Sequence, residues 1–258
     1  AAASAWRLLK TPRESESALS LRMAIGMFAL VAPLQLLAGH LSGEQVRLHQ
    51  PLKTAAIEAL WRTRADQPQH LVGLPDRATA STRWDVSVPG LGNWMQGLPR
   101  SAVIEGLDAW PRSDWPVVWL VYWSFRAMVG LGLAMIGLGA WGVWLWARGR
   151  LEASVWFLRS AVAMGPAGFA AVICGWIVAE AGRQPFVIYG LLRTSDAVSP
   201  VAAGPVSASL IGFLAVYAVV FSAGAIYILR LLGEGPAAAA EDAALVQRAP
   251  GSALAGRP

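Results

Sequence analysis

The chain has 258 residues, of which 55% are hydrophobic and only 14% charged. The charged share lies well below the ~25% of soluble domains, and four long apolar runs leave little room for a soluble core, so the chain reads as a polytopic membrane protein. The net charge of +5 comes from dispersed Lys and Arg with no dense basic cluster, which argues against nucleic-acid binding and fits membrane orientation. A single cysteine, Cys174, excludes an internal disulfide and a cysteine-rich metal site.

Ala1 to Lys10 lacks the charge, apolar and cleavage pattern of a secretory leader. Ala1 to Trp6 reads as the tail of an apolar helix, so the chain is expected to continue a longer protein. Residues 1–17 are expected as a cytoplasmic segment and 18–40 as the first transmembrane helix, long enough to cross ~30 Å of hydrocarbon. Arg22 can snorkel near its start, and Pro33 should kink or break it.

Residues 41–116 form the one long polar segment, with eight basic and eight acidic residues. Gln50 to Arg64 carries Leu52, Ala55, Ala56, Ala59 and Leu60 at helical spacing. The Gly- and Pro-bearing stretches 72–75 and 88–92 read as irregular loop. The second transmembrane helix is expected over 117–146, with Trp115, Trp119 and Trp123 at one end and Trp141, Trp144 and Trp146 at the other, as a double interfacial belt. Its glycines, 130, 132, 137, 139 and 142, permit either close helix approach or space for a flat cofactor, and both readings stay open.

A short basic connector, 147–154, should be cytoplasmic, which places the long loop on the outer side. The third and fourth transmembrane helices are expected over 155–182 and 206–232, joined by an outer loop, 183–205. Residues 233–258 read as a disordered cytoplasmic tail.

Several side chains stand out chemically. Trp176, Glu180 and Arg183 or Gln184 fall on one helical face at the end of an apolar run, where charge is costly and usually paired or functional. Pro185 should end that helix near Gln184. A Glu180–Arg183 pair that merely closes a helix end is the plainer reading. Arg126 is a charge inside the second run, and Met128, two residues on, is by default packing material. Lys53 and Glu58 lie on the helical part of the loop, where a Glu58–Arg62 pair would only solvate a face. The three histidines, His40, His49 and His70, sit at membrane edges or in the loop, and none lies in the interior of an apolar run.

Three stretches in order then carry a resemblance. They are Gln50-Pro51-Leu52-Lys53-Thr54-Ala55-Ala56-Ile57-Glu58-Ala59-Leu60-Trp61, Trp123-Ser124-Phe125-Arg126-Ala127-Met128-Val129-Gly130, and Glu180 followed by Gly182-Arg183-Gln184-Pro185-Phe186. Together they resemble the second half of subunit I of cytochrome bd-type quinol oxidases, over roughly Trp6 to Leu232, in the branch with a short quinol loop. The resemblance implies an all-α membrane protein: four transmembrane helices, the second half of a larger helical subunit, with one long extracytoplasmic quinol-binding loop.

It also implies Met128 as axial ligand of a low-spin haem b, and Glu180 as ligand of a high-spin haem in a centre holding haem b and haem d. Arg126, Trp176, Arg183 and Gln184 are implied to surround these haems, and Lys53 and Glu58 to act in quinol oxidation. Phe186 replaces the usual Trp and loses its N–H donor. The implied partners are subunit II, the N-terminal half of subunit I, quinol and membrane lipid, with no nucleic acid, in a bacterial cytoplasmic membrane. The expected activity is passage of electrons from quinol through haems to oxygen, with this part inactive alone. A haem-free scaffold and, less favoured for want of an internal repeat, a transporter are the competing readings.

Overall fold

The computed structural model describes residues 1–12 and 14–248. It divides into two units, Ala1–Val198 and a second from Ser199 onward. Among the described residues four segments are long and apolar enough to cross a membrane: Ser15–His49, Val118–Ala147, Val155–Ala181 and Ala203–Gly233. The chain is a multi-pass membrane protein, and the regular structure of its described residues is helical apart from two short β-hairpins in the loops.

In the first unit α1 (Ala2–Lys10) precedes α2 (Ser15–His49). The expected polar loop from Trp6 is therefore helical as far as Lys10. Its Leu8 and Ala5 are buried, so an apolar side sets its conformation despite the charges. α2 passes through Pro33 without interruption and continues nine residues beyond the expected end at residue 40. Nothing from 41 to 49 breaks a helix, and the stop comes at Gln50, just before Pro51. Arg22 does not simply snorkel: its Nε donates to Glu152 at 2.6 Å.

The loop is not irregular. α3 (Pro51–Glu58) ends where Ala59 turns left-handed, at φ 53°, so the expected helix to Arg64 is cut to two turns. β1 (Gln69–Asp76) and β2 (Ser81–Val88) then pair as an antiparallel hairpin, with Gln69 opposite Val88 and Asp76 opposite Ser81. The short helix α4 (Leu91–Met95) follows. Leu52, Ala56, Leu60, Trp61, Leu107 and Trp115 form a core that seats the loop on the first turns of α5 (Val118–Ala147) through Val118 and Tyr122. Trp115 is thus not part of an interfacial belt; its ring packs 5.9 Å from that of Trp61.

Several polar groups in the loop are satisfied internally. The buried Asn93 accepts from the Gln67 amide at 2.8 Å and donates to the carbonyls of Pro99 and Ala102. Gly106 is required where the chain crosses Arg62, since a Cβ there would lie 2.4 Å from the Arg62 carbonyl carbon.

At the other end of α5 a second core joins α1, α2 and α6 (Val155–Ala163) through Leu8, Leu21, Ile25, Leu145, Phe157 and Leu158. Met164–Pro166 breaks the third span, and α7 (Ala167–Ala181) continues it. Glycines 139 and 142 serve close helix approach. A Cβ on Gly142 would fall 2.8 Å from Ile25 and 2.9 Å from Phe157, and one on Gly139 would reach 3.4 Å from the Ala29 backbone. A Cβ on glycine 130, 132 or 137 would meet no atom of another element within 4 Å. After α7, β3 (Phe186–Ile188) and β4 (Leu192–Arg193) form a small hairpin.

The second unit is α8 (Ala203–Arg248), helical well past the expected end at residue 232. The expected tail is thus helical to Arg248, which its alanine content favours; residues 249–258 of it lie outside the described residues, as does Arg13.

Candidate functional site

The singled-out side chains gather where α3 lies between the start of α5 and the end of α7. Ile57 of α3, Val121 of α5 and Val178 of α7 make one small core. This apolar contact fixes α3, and its two charged side chains reach opposite neighbours.

Glu58 faces Arg126, not Arg62. The guanidinium Nη2 of Arg126 stands 3.2 Å from Glu58 Oε2, and both side chains are 13% exposed. Gln69 of β1 donates its amide to the same carboxylate. Arg126 further donates to the carbonyls of Ile57 (2.9 Å), Leu71 (3.1 Å), Tyr122 and His70, and lies over the Tyr122 ring. Its planar fork thereby ties the loop helix and the hairpin to α5. The His70 ring meets Asp85 across the hairpin at 2.8 Å.

Lys53 points the other way. Its Nζ donates to the Ala179 carbonyl at 3.1 Å, on the open carbonyl end of α7, where a cation is favoured. Burial pushes the ammonium below its ordinary 10.5; the neighbouring Arg183 adds to this and Glu180 opposes it. Gly182 makes room for the lysine stem, whose Cγ and Cε lie 3.2 Å from where a Cβ would sit.

Glu180 and Arg183 are paired. The helix ends at Ala181, close to the expected limit. Arg183 keeps a buried Nε with no hydrogen-bond partner. Gln184 accepts from Thr194 at 2.8 Å, which ties the helix end to the small hairpin, and the Gln184–Pro185 bond is cis. Phe186 packs edge-on to Tyr189 beneath the Arg193 guanidinium.

Met128 lies half-buried on α5, its Sδ 3.0 Å from where a Cβ on Gly175 of α7 would be. Trp176 is exposed one turn before Glu180. Lys53 and Glu58 are therefore not a pair: one belongs with Glu180 and Arg183, the other with Arg126. The Glu58–Arg126 contact went unread because it joins residues 68 apart through a hairpin whose register no local pattern gives. The only hint was that each charge is isolated among apolar neighbours. Among the described residues no cluster of three or more His, Cys, Asp or Glu could hold a metal ion.

The donor set does suit a haem. A thioether and a carboxylate are both known iron donors. Between and beside them lie open glycines at 130, 132 and 168, an exposed indole, and an unpartnered guanidinium N–H suited to an anionic group.

Fold and site together define a multi-pass helical membrane protein whose folded loop is bolted to two helix ends that carry potential iron donors. The model of the cytochrome bd terminal oxidase subunit I family matches residues 1–236, and the chain belongs to that family. It is 32% identical to the putative cytochrome bd menaquinol oxidase subunit I of Bacillus subtilis strain 168, over 89% of this chain and 52% of the relative. It is 32% identical to the cytochrome bd ubiquinol oxidase subunit 1 of the same organism, over 91% and 52%. The bd oxidase structure from Geobacillus thermodenitrificans superposes with a TM-score of 0.76 at 27% identity, covering 91% of this chain and 54% of that one. The chain thus spans about half the length of the relatives it matches.

Proposed function

We propose that this chain supplies the quinol-loop half of subunit I of a respiratory quinol oxidase, acting with the remainder of that subunit and a subunit II in a bacterial cytoplasmic membrane. The observation that carries the proposal is the docking of α3. One short helix touches, through Glu58 and Arg126, the helix bearing Met128, and through Lys53 the end of the helix bearing Glu180. A substrate loop so placed sits next to both potential iron donors.

In this reading Met128 would hold a low-spin haem b, and Glu180 a high-spin haem in a centre with haem b and haem d. The haems supply one-electron transfer and oxygen reduction. The chain's own residues bind and position. Met128 Sδ lies 3.0 Å from where a Cβ on Gly175 would sit, so a larger residue there would press on the thioether. Arg183 offers its free Nε–H to a propionate while holding Glu180. Trp176 and Gln184 border the same end of α7. Arg126 is already committed to loop carbonyls and Glu58, which supports a role in joining loop to helix ahead of one in holding a propionate. Lys53 and Glu58 serve quinol oxidation by fixing α3, since both have protein partners. The quinol protons leave on the loop side.

The test is a reduced-minus-oxidised visible spectrum of membranes holding the full subunit with its partner, with and without Met128→Leu. Loss or shift of a low-spin haem band in the variant is expected. Absence of haem bands in the well-expressed parent overturns the reading and leaves a haem-free scaffold.

A further inference from the structure

The β1–β2 hairpin has a fixed height on the molecule. At its base Arg126 donates to the carbonyls of His70 and Leu71. At its tip Arg77 donates to the Arg112 carbonyl at 2.5 Å, and Arg112 lies ahead of α5 in the chain. The hairpin therefore stands along the loop-side end of α5, its base toward the middle of the helix and its tip beyond the start. α5 has 30 residues, about 45 Å of helix at 1.5 Å per residue. The ~30 Å of hydrocarbon takes up about 20 residues. Counted from Trp146 at the connector end, that stretch closes near Arg126. The base of the hairpin is thus level with the loop-side edge of the hydrocarbon.

Polarity changes along the hairpin in step with this height. Val72 and Val86 face each other on a rung about 7 Å above His70, and both are exposed. Trp84 comes next, at about 10 Å, and is 83% exposed. Arg83 follows with an exposed side chain, and Thr79 and Ser81 lie at the tip. Apolar, aromatic, basic, then polar is the order met on leaving the hydrocarbon through a headgroup layer of about 5–8 Å. A protein partner imposes no such grading along the membrane normal.

The placing of Trp84 works against its own backbone. Between the Val72–Val86 and Leu74–Arg83 rungs β2 carries one residue more than β1, and within this bulge Trp84 has φ 48°. A bulky residue rarely enters the left-handed region, which glycine favours. Bulges re-aim side chains. This one turns the hairpin's largest apolar side chain away from the protein. Water gives nothing for that placement, whereas the membrane interface takes up an indole readily.

We propose that the hairpin is an interfacial anchor, with Val72, Val86 and Trp84 seated in the phospholipid headgroup layer beside α5. The anchor and Arg126 together set the height of the loop on the membrane. This goes beyond the oxidase reading and stands without it, since it needs only that α5 crosses a bilayer.

The test uses the complete complex, this chain with the remainder of its subunit and a subunit II, in nanodiscs of phosphatidylethanolamine and phosphatidylglycerol. A photo-crosslinking residue is placed at Val86 or, at the tip, at Thr79, and its adducts are identified by mass spectrometry. Lipid adducts are expected at Val86 and not at Thr79. An adduct at Val86 to protein overturns the anchor, whether it falls on another part of the subunit, on subunit II or on a second copy of this chain. No lipid adduct at Val86, or equal lipid yields at both positions, does the same. Trp84→Asn gives a second readout, because asparagine tolerates the left-handed backbone and the change removes the indole alone. Amide exchange over residues 70–88 in the nanodiscs is expected to quicken about tenfold as the anchor is lost. Unchanged or slower exchange means that the indole had no lipid to leave, and overturns its part in the anchor.

Discussion

Arg126 shows how much one side chain can hold. It lies two residues from Met128 and spends its donors on Glu58 and on loop carbonyls. Removing one partner of a nearly buried ion pair leaves the other charge uncompensated, at about 3 kcal/mol. Arg126→Gln is therefore expected to destabilise the detergent-solubilised protein by roughly that amount in a denaturation series. Adding Glu58→Gln to it should recover about 1 kcal/mol or more as coupling. Additive losses would mean that the pair does not hold the loop. The residue types were legible in the sequence, since an isolated Arg and an isolated Glu among apolar neighbours ask for partners. Which partner each takes was not, because Lys53 and Glu58 share a two-turn helix and still face different neighbours.

At the scale of elements, the apolar runs were readable because length and hydropathy alone decide them. The hairpin was missed because register shifts blur the alternation and β1 holds Gly73 and Pro75. Its turn is set by Asp76, whose carboxylate accepts from the Ala78 N–H at 2.9 Å and from Arg83 at 2.7 Å. The Ala78 bond is the main cause that holds its carboxyl below the ordinary 3.8. A carboxyl lowered on folding stabilises fully above 3.8 and loses that contribution as the pH falls through the lowered value. Hydrogen exchange over 76–83, corrected for intrinsic rates, should show the turn loosening below that range in the parent, with a smaller change in Asp76→Asn. Equal acid sensitivity in both would remove Asp76 from the turn's support.

The glycines of α5 separate in the same way. Gly142→Ala places a methyl against Ile25 and Phe157 and is expected to cost about 1–3 kcal/mol. Gly132→Ala meets open space in this chain and should be neutral or stabilise by a few tenths, by helix propensity. If Gly132→Ala instead disturbs the haem spectrum of the complete oxidase, that open space is where a cofactor or another helix lies.

For the whole molecule the telling feature is one face of α7. Phe169 is 78% exposed, Val172 72% and Trp176 67%, and these lead to Glu180 at i, i+3, i+7 and i+11. Lipid satisfies the apolar members of such a row but offers a carboxylate at its end, which here has only Arg183, no further partner. A second protein surface with its own polar groups serves both, and relatives about twice this length have chain to spare for it. The expectation is that a photo-crosslinking residue at Val172 reacts with lipid when this chain is expressed alone, and that no stable low-spin haem band forms. Co-expression with the part of the longer relatives that this chain does not span should move the crosslink from lipid to protein and bring the band back. A crosslink that stays on lipid in the active, haem-loaded complex would place the part of the longer relatives that this chain does not span against another face of the first unit, and would count against Glu180 as an iron donor there.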